Sequence, residues 1–203
     1  AYSSSVTLTD TTVSGGFTAY GGGVYASGGT ATLTNVTFDQ NVAGTQGGGM
    51  HINTAVMTLT NVTFTGNSAG SGGGLYNEDA APSLINVTIS GNGSPVAGGM
   101  YNENSLPVVK NSIIAGNEVD KDCVGPLDAS SSNNLIQSTV YDCGLANGVN
   151  GNIIGQDAML GSLADNGGPT ETMALLAFSP AIDAGTSSVP TSEDQRGVLR
   201  PQG

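Results

Sequence analysis

The sequence predicts an all-β fold, a parallel β-helix of about five to six coils of 25–26 residues with an irregular C-terminal cap. Three observations predict it. A glycine-rich motif recurs as GGGVY at 21–25, GGGMH at 47–51, GGGLY at 72–76 and AGGMY at 97–101. Apolar positions recur with it: Phe38, Phe64, Ile89 and Ile114 are 26, 25 and 25 residues apart, and Leu8, Leu33, Leu59, Leu84 and Val109 are 25, 26, 25 and 25 apart. The residues between these positions are Gly, Thr and Val rather than strong helix formers. The third observation decides between two solenoids. Leu33-x-x-Val36-x-Phe38-x-x-Asn41 and its copy from Leu59 to Asn67 also fit a leucine-rich-repeat template, but that fold needs a helical segment which GGGMHINTAVMT is poorly suited to form.

Taken in order, residues 1–20 read as a first, imperfect coil, with Leu8, Thr11, Val13 and Gly16 in the slots of Leu33, Val36, Phe38 and Asn41. Residues 21–107 hold the clearest repeats, and three short strands per coil are expected, near 24–26, 31–33 and 36–38 in one of them. Residues 108–132 give a fifth coil with Lys110 and Ser112 in repeat positions, followed by an acidic, Cys-bearing loop. Coils therefore occupy 1–132, and 133–203 reads as a last irregular coil and a cap, because terminal repeats of a solenoid must meet water.

The spacing assigns side chains to columns. Val24, Met50, Leu75 and Met100 should stack inside the tube, as should Val36, Val62 and Val87, and Phe38, Phe64, Ile89 and Ile114. Rungs about 4.8 Å apart turn one apolar residue per coil into a continuous core. Asn35, Asn61, Asn86 and Asn111 form one asparagine ladder, and Asn41, Asn67, Asn92 and Asn117 another. Stacked Asn side chains hydrogen-bond along such a column, and Asn tolerates the left-handed backbone of tight corners.

Composition narrows the function. Gly is 32 of 203 residues, charged residues are 10%, and the net charge of −12 is offset by only four cations, Lys110, Lys121, Arg196 and Arg200. That balance excludes a nucleic-acid footprint and disfavours an anionic lipid surface. No apolar run reaches the length of a membrane span. A start at Ala1 without Met or a signal-like segment suits a mature secreted fragment. Cys123 and Cys143 lie 20 residues apart where the repeat decays, and in this extracellular context they are expected to form a disulfide.

The Gly motifs, paired with FDQN and FTGN, resemble the GGA-[ILV] and FxxN repeats of chlamydial polymorphic outer-membrane proteins. The tail, LADNGGPTETMALLAFSPAIDAG followed by DQRGVLRPQG, is similar to the C-terminal signature of bacterial choice-of-anchor Q surface proteins, within the pectate-lyase-like β-helix superfamily. The resemblance implies a secreted or surface-displayed right-handed parallel β-helix, with a role in adhesion or the cell envelope rather than a known reaction. Relatives continue into a further short strand and an anchoring segment, which leaves the mode of attachment open.

Sites are weighed on the same residues. Acids in the regular coils, Asp10, Asp39, Glu78, Asp79 and Glu103, do not recur in one face position. The single histidine, His51, takes the slot of Tyr25, Tyr76 and Tyr101, so it belongs to an outward aromatic row. No catalytic residue and no metal site is assigned. Glu118, Asp120, Asp122 and Asp128 offer the oxygens a Ca²⁺ ion would need, but in no recognisable loop spacing. Asn35, Asn61, Asn86 and Asn92 begin N-glycosylation sequons, with Asn92 in the turn 91–94 the most accessible.

The reading is an extracellular, cell-surface, non-enzymatic structural or adhesive β-helix that associates with itself head to tail and has a glycan or cell-surface partner. Two other classes remain alternatives: a polysaccharide-binding or polysaccharide-cleaving protein, and an ice-binding protein built on Thr7-Leu8-Thr9, Thr32-Leu33-Thr34 and Thr58-Leu59-Thr60.

Overall fold

The computed structural model describes residues 5–187 and 193–200, so the outermost part of the expected first coil and parts of the expected cap lie outside the described residues. The chain winds as a parallel β-helix with three walls. The long wall is a parallel sheet whose successive rungs are Ser5–Ser14, Thr30–Asp39, Val56–Thr65, Ser83–Ser90, the pair Val108–Lys110 and Ile113–Ala115, then Leu135–Ile136 and Ile153–Ile154. The second wall stacks Val24–Ser27, Met50–Asn53, Leu75–Glu78, Met100–Glu103 and Cys123–Val124, and the third stacks Phe17–Tyr20, Val42–Gln46 and Ser68–Ser71.

Two details differ from the sequence expectation. The strands expected at 31–33 and 36–38 are one strand, Thr30–Asp39, bent at Asn35. Asn35, Asn61 and Asn86 take φ of 55°, 54° and 55°, so the chain turns through a left-handed residue while pairing continues on both sides. The wall made by 17–20, 42–46 and 68–71 was not anticipated. VAGTQ and SAGS carry no apolar alternation, and they pair through backbone alone.

The corner glycines answer to steric demand. Gly47 has φ of 66°, and a Cβ there would run into the carbonyl of Met50. Only a residue without a side chain brings the third wall this close to the second.

Inside, the expected columns form. Phe38, Phe64, Ile89 and Ile114 are buried in register, and the two phenyl rings stack 4.7 Å apart and 5° from parallel. Met50, Leu75 and Met100 are buried, as are Val36, Val62 and Val87, while Val24 on the first coil packs against the core only in part. Each full burial of a side chain this size contributes about 1.5–3 kcal/mol. Beyond the fifth coil the repeat contracts, with ladder bonds spanning 22 and then 18 residues instead of 25. Cys123 and Cys143 are disulfide-bonded at that point, and both are buried against the core.

The tail forms an antiparallel hairpin, Leu160–Ala164 with Thr172–Leu175, and its described residues run back along the outside of the long wall, a course the sequence reading did not anticipate. Thr170 Oγ1 donates to Asn35 O at 3.4 Å, and Thr37 Oγ1 to Glu171 O at 2.8 Å, which places the tail against the second coil. Asn133 Nδ2 donates to Ala184 O at 3.0 Å, which places it against the sixth rung. The outer face offers amides and hydroxyls at every rung, and the tail pairs with them. Ala158, Leu160 and Ala181 add a second, small apolar cluster with Ala115, Ile113, Leu135 and Ile153 outside the tube.

Candidate functional site

Three arrangements carry the polar chemistry of the molecule. The first is the inner ladder. Asn41, Asn67 and Asn92 are fully buried at a corner, and Asn117 nearly so. From Asn67 on, each Oδ1 accepts from the side-chain and backbone N–H of the Asn one coil earlier, as in Asn67 Nδ2 to Asn92 Oδ1 at 2.9 Å and Asn67 N to the same oxygen at 3.1 Å, while Asn41 Oδ1 accepts from Gly16 N. Each Nδ2 also donates to a backbone carbonyl, that of Phe38 from Asn67 and of Phe64 from Asn92. The column ends on Asp122, whose Oδ1 accepts from Asn117 and whose Oδ2 accepts from Ser138 N at 2.8 Å. Burial pushes the Asp122 carboxyl up, against the pull of these donors.

That placement corrects one expectation. Asn92 is not accessible: its exposure is 0% and its amide is fully engaged, so no glycan reaches it in the folded chain. Glu118, Asp120, Asp122 and Asp128 do not converge for Ca²⁺, since Asp122 is committed to the ladder and Asp128 accepts from Ser130. Among the described residues no group of three His, Cys, Asp or Glu side chains is placed to hold a metal ion.

The second arrangement is the aromatic column on the outside of the second wall. Tyr25, His51, Tyr76 and Tyr101 stack in register with ring centroids 4.9–5.1 Å apart. His51 and Tyr76 are nevertheless buried, because their neighbours in the column and Tyr20 close over them. His51 Nε2 lies 3.1 Å from Glu78 Oε2, and the Tyr76 hydroxyl donates to Glu103, the equivalent acid one coil on, so that two of the acids do recur in one face position, against the sequence expectation. Nδ1 of His51 is buried without a partner. Burial pulls the His51 pKa down, opposed by the Glu78 carboxylate, and burial followed by the Glu103 bond pushes the Tyr76 hydroxyl up.

The third is the groove between the long wall and the tail, with a volume of about 880 Å³. Asn86 and Asn111 of the outer asparagine ladder line it. Asn61 Nδ2 donates to Asn35 Oδ1 and Asn86 Nδ2 to Asn61 Oδ1, each at 3.1 Å, and Asn111 exchanges two bonds with the backbone of Thr186. The sequons at Asn35, Asn61 and Asn86 therefore sit beneath the tail. The hydroxyls of Thr37 and Thr63 are buried in bonds to Glu171 O and Gln195 Oε1. Arg196 is paired with Asp194, Nε to Oδ2 at 2.9 Å, and Arg200 Nη1 donates to Asn86 Oδ1 at 3.3 Å.

Sequence reasoning missed three features. Gln195, buried, bonds Thr37, Thr63 and Thr170 at 2.8–2.9 Å and pins the tail, but nothing periodic marks it. Asn77 and Asn102 take inward slots opposite Ile52 and bond each other at 2.8 Å; their shared place after the Tyr of each repeat was a usable signal. Asn134 and Asn152 form a short ladder below Ser112, hidden by the contracted period.

Among the described residues no helix is long and apolar enough to cross a membrane. No curated protein and no solved structure matches the chain. The family model described as the right handed beta helix region matches residues 1–158, which takes in every coil and stops where the tail leaves the tube. On that match and on the architecture above, the chain belongs to the right-handed β-helix family.

Proposed function

We propose that the chain is an extracellular, non-enzymatic structural or adhesive module of a surface, working as a stiff rod that stacks end to end with further copies. The observation that carries this reading is how side chains are used along the tube. Apolar columns and the inner ladder run from coil to coil, and the Cys123–Cys143 bridge locks the region where the repeat decays. A disulfide in that position favours an oxidising compartment. The candidate general acids and bases serve structure, with His51 and Glu78 bonded to each other and Tyr76 to Glu103.

End-to-end stacking follows from the first coil. Among the described residues, the three walls have their first rungs there, at Ser5–Ser14, Phe17–Tyr20 and Val24–Ser27. The core positions Leu8, Val13 and Val24 are only half-buried, and Phe17 is 81% exposed. Open strand edges over half-covered apolar residues invite pairing, and a head-to-tail contact propagates.

The test is sedimentation and negative-stain microscopy of native protein beside Leu8→Lys, which puts a charge on the open edge. Linear oligomers lost in the variant are expected. A native protein that stays monomeric at high concentration, or oligomers indifferent to Leu8→Lys, overturns the stacking. Release of reducing or unsaturated ends from a pectin-like substrate, abolished by Glu78→Gln, overturns the non-enzymatic reading.

A further inference from the structure

The floor of the flank groove is a single outward column of the long wall. Register runs it through Thr12, Thr37, Thr63 and Thr88, then Ile113, Leu135 and Ile153. The column therefore changes chemistry along its length, from hydroxyls on the early coils to aliphatic side chains on the late ones. The tail closes over the first part through Gln195, and the open groove spans the change, from Thr63 and Thr88 to Ile153.

The walls follow the same division. At the threonine end stand Arg196 and Arg200, two of the four cations in a chain of net charge −12. Arg196 is ion-paired with Asp194, whereas among the described residues no carboxylate lies within ion-pair distance of Arg200, on which Asp194 acts only from further off. At the aliphatic end stand Leu160 and Met173, with Leu175 and Ile182 exposed on the rim. Asp183, the other acid of the lining, is exposed on the tail beside Ile182. No aromatic ring is among the described residues that line the groove, so it offers no platform for stacking a sugar. Its volume is within the range of about 300–1,000 Å³ usual for small-molecule sites.

We propose that this groove binds a single-chain anionic amphiphile, an aliphatic chain ending in an anionic head such as a carboxylate. The head sits at Arg200 beside Asn86 and Thr88, where a charge-assisted bond to the guanidinium fixes it. The chain lies along the half-buried Ile113 and Ile153, beside Leu160 and Met173, and leaves water as it does so. The overall acidity of the molecule repels an anionic lipid surface, but a monomeric amphiphile reaches Arg200, whose guanidinium has no direct carboxylate contact among the described residues. This reading is independent of the stacking of copies, which uses the first coil and not the flank.

The experiment titrates the full chain with laurate below its micellar concentration, following binding by calorimetry and the methyl signals of Ile113 and Ile153 by NMR. Saturable binding that moves both methyl signals is expected. Arg200→Gln should weaken laurate about tenfold, the scale of one charge-assisted bond, and Ile182→Ser should weaken it less. Dodecyl glucoside, which keeps the chain and loses the charge, should bind like laurate to the Arg200→Gln protein. The proposal is overturned if laurate does not bind, if it binds without moving the two methyl signals, or if a trigalacturonate binds in its place. Equal binding to wild type and both variants, or binding only to vesicles of anionic lipid, overturns it as well.

Discussion

The two asparagine ladders share a residue type, a period and a hydrogen-bonded geometry, yet they do different work. In the inner ladder each side chain replaces water for the backbone around it. Asn67 satisfies the N–H of Asn41, the side-chain amide of Asn41 and the carbonyl of Phe38, all in the dry corner of the tube. In the outer ladder the side chains also bond one to the next, but the backbone is the reason for asparagine: Asn35, Asn61 and Asn86 hold left-handed φ where the long strands bend. The outer amides then face outward and become the surface on which the tail docks. A recurring Asn thus marks either a buried backbone partner or a tolerated strain, and burial tells the two apart.

The largest expected effect breaks the inner ladder. Asn67→Ala removes the acceptor of two buried donors and the donor to two buried acceptors, Phe38 O and Asn92 Oδ1. Unsatisfied buried groups cost about 1–3 kcal/mol each, so a loss of roughly 3–5 kcal/mol is expected, comparable with emptying the Phe64 site beside it. Chemical denaturation at constant m-value measures it. A loss below about 1 kcal/mol would show that water enters the corner and that the ladder is not what keeps it dry.

The columns were legible in the sequence because a parallel β-helix repeats its environment with its period. Phe38 and Phe64, or Asn41 and Asn67, recur at the spacing of one coil, and identical spacing means identical surroundings. The continuous strand Thr30–Asp39 was not legible, because an Asn in mid-strand reads as a break, whereas a single left-handed residue bends the strand and leaves its pairing intact. The docking of the tail was hidden for another reason. Gln195 meets Thr37 across 158 residues, and its partners are hydroxyls that look like ordinary strand surface. The Asn92 sequon shows the hazard of a local motif inside a repeat: Asn-Gly-Ser suits an exposed turn, but its column places it in the core.

Two smaller effects sharpen the contrast. Gln195→Ala removes the buried amide that joins Thr37, Thr63 and Thr170, and roughly 2–3 kcal/mol is expected from the lost bonds. That loss should be local. Hydrogen exchange should rise in the tail near Thr170–Leu175 and stay unchanged at Asn41 and Asn67; a uniform rise would mean that the tail and the coils unfold as one unit. Asn61→Ala should cost roughly 1–2 kcal/mol, chiefly because alanine resists positive φ. Asn61→Gly should recover much of that loss, whereas Asn67→Gly should recover nothing, since Asn67 is needed for its amide. Equal rescue at both sites would erase the distinction between the ladders.

The smallest effect concerns the third column, where one position departs from the tyrosine of its neighbours. His51 bonds Glu78 through Nε2, and its Nδ1 is buried with no acceptor. Protonating Nδ1 would place a charged N–H in a dry site, so burial lowers the folded pKa below the ordinary value of 6.5. The sign follows. Above that value the ring is neutral in both folded and unfolded chains, and the stabilising contribution is complete. As pH falls from 6.5 through the depressed folded pKa, the unfolded chain takes up the proton first and the contribution is lost. Tyr76 shows what the repeat's usual residue does in the same geometry, donating its hydroxyl to Glu103 one coil on. His51→Tyr should therefore keep the column, with the new hydroxyl donating to Glu78, and remove this titration. Thermal melts at about pH 7.5 and about pH 5.5 compare the two proteins on either side of the histidine's ordinary range. Wild type should lose more stability than His51→Tyr on acidification. Equal losses would place the proton elsewhere and show that His51 charges without penalty, as a solvated ring would.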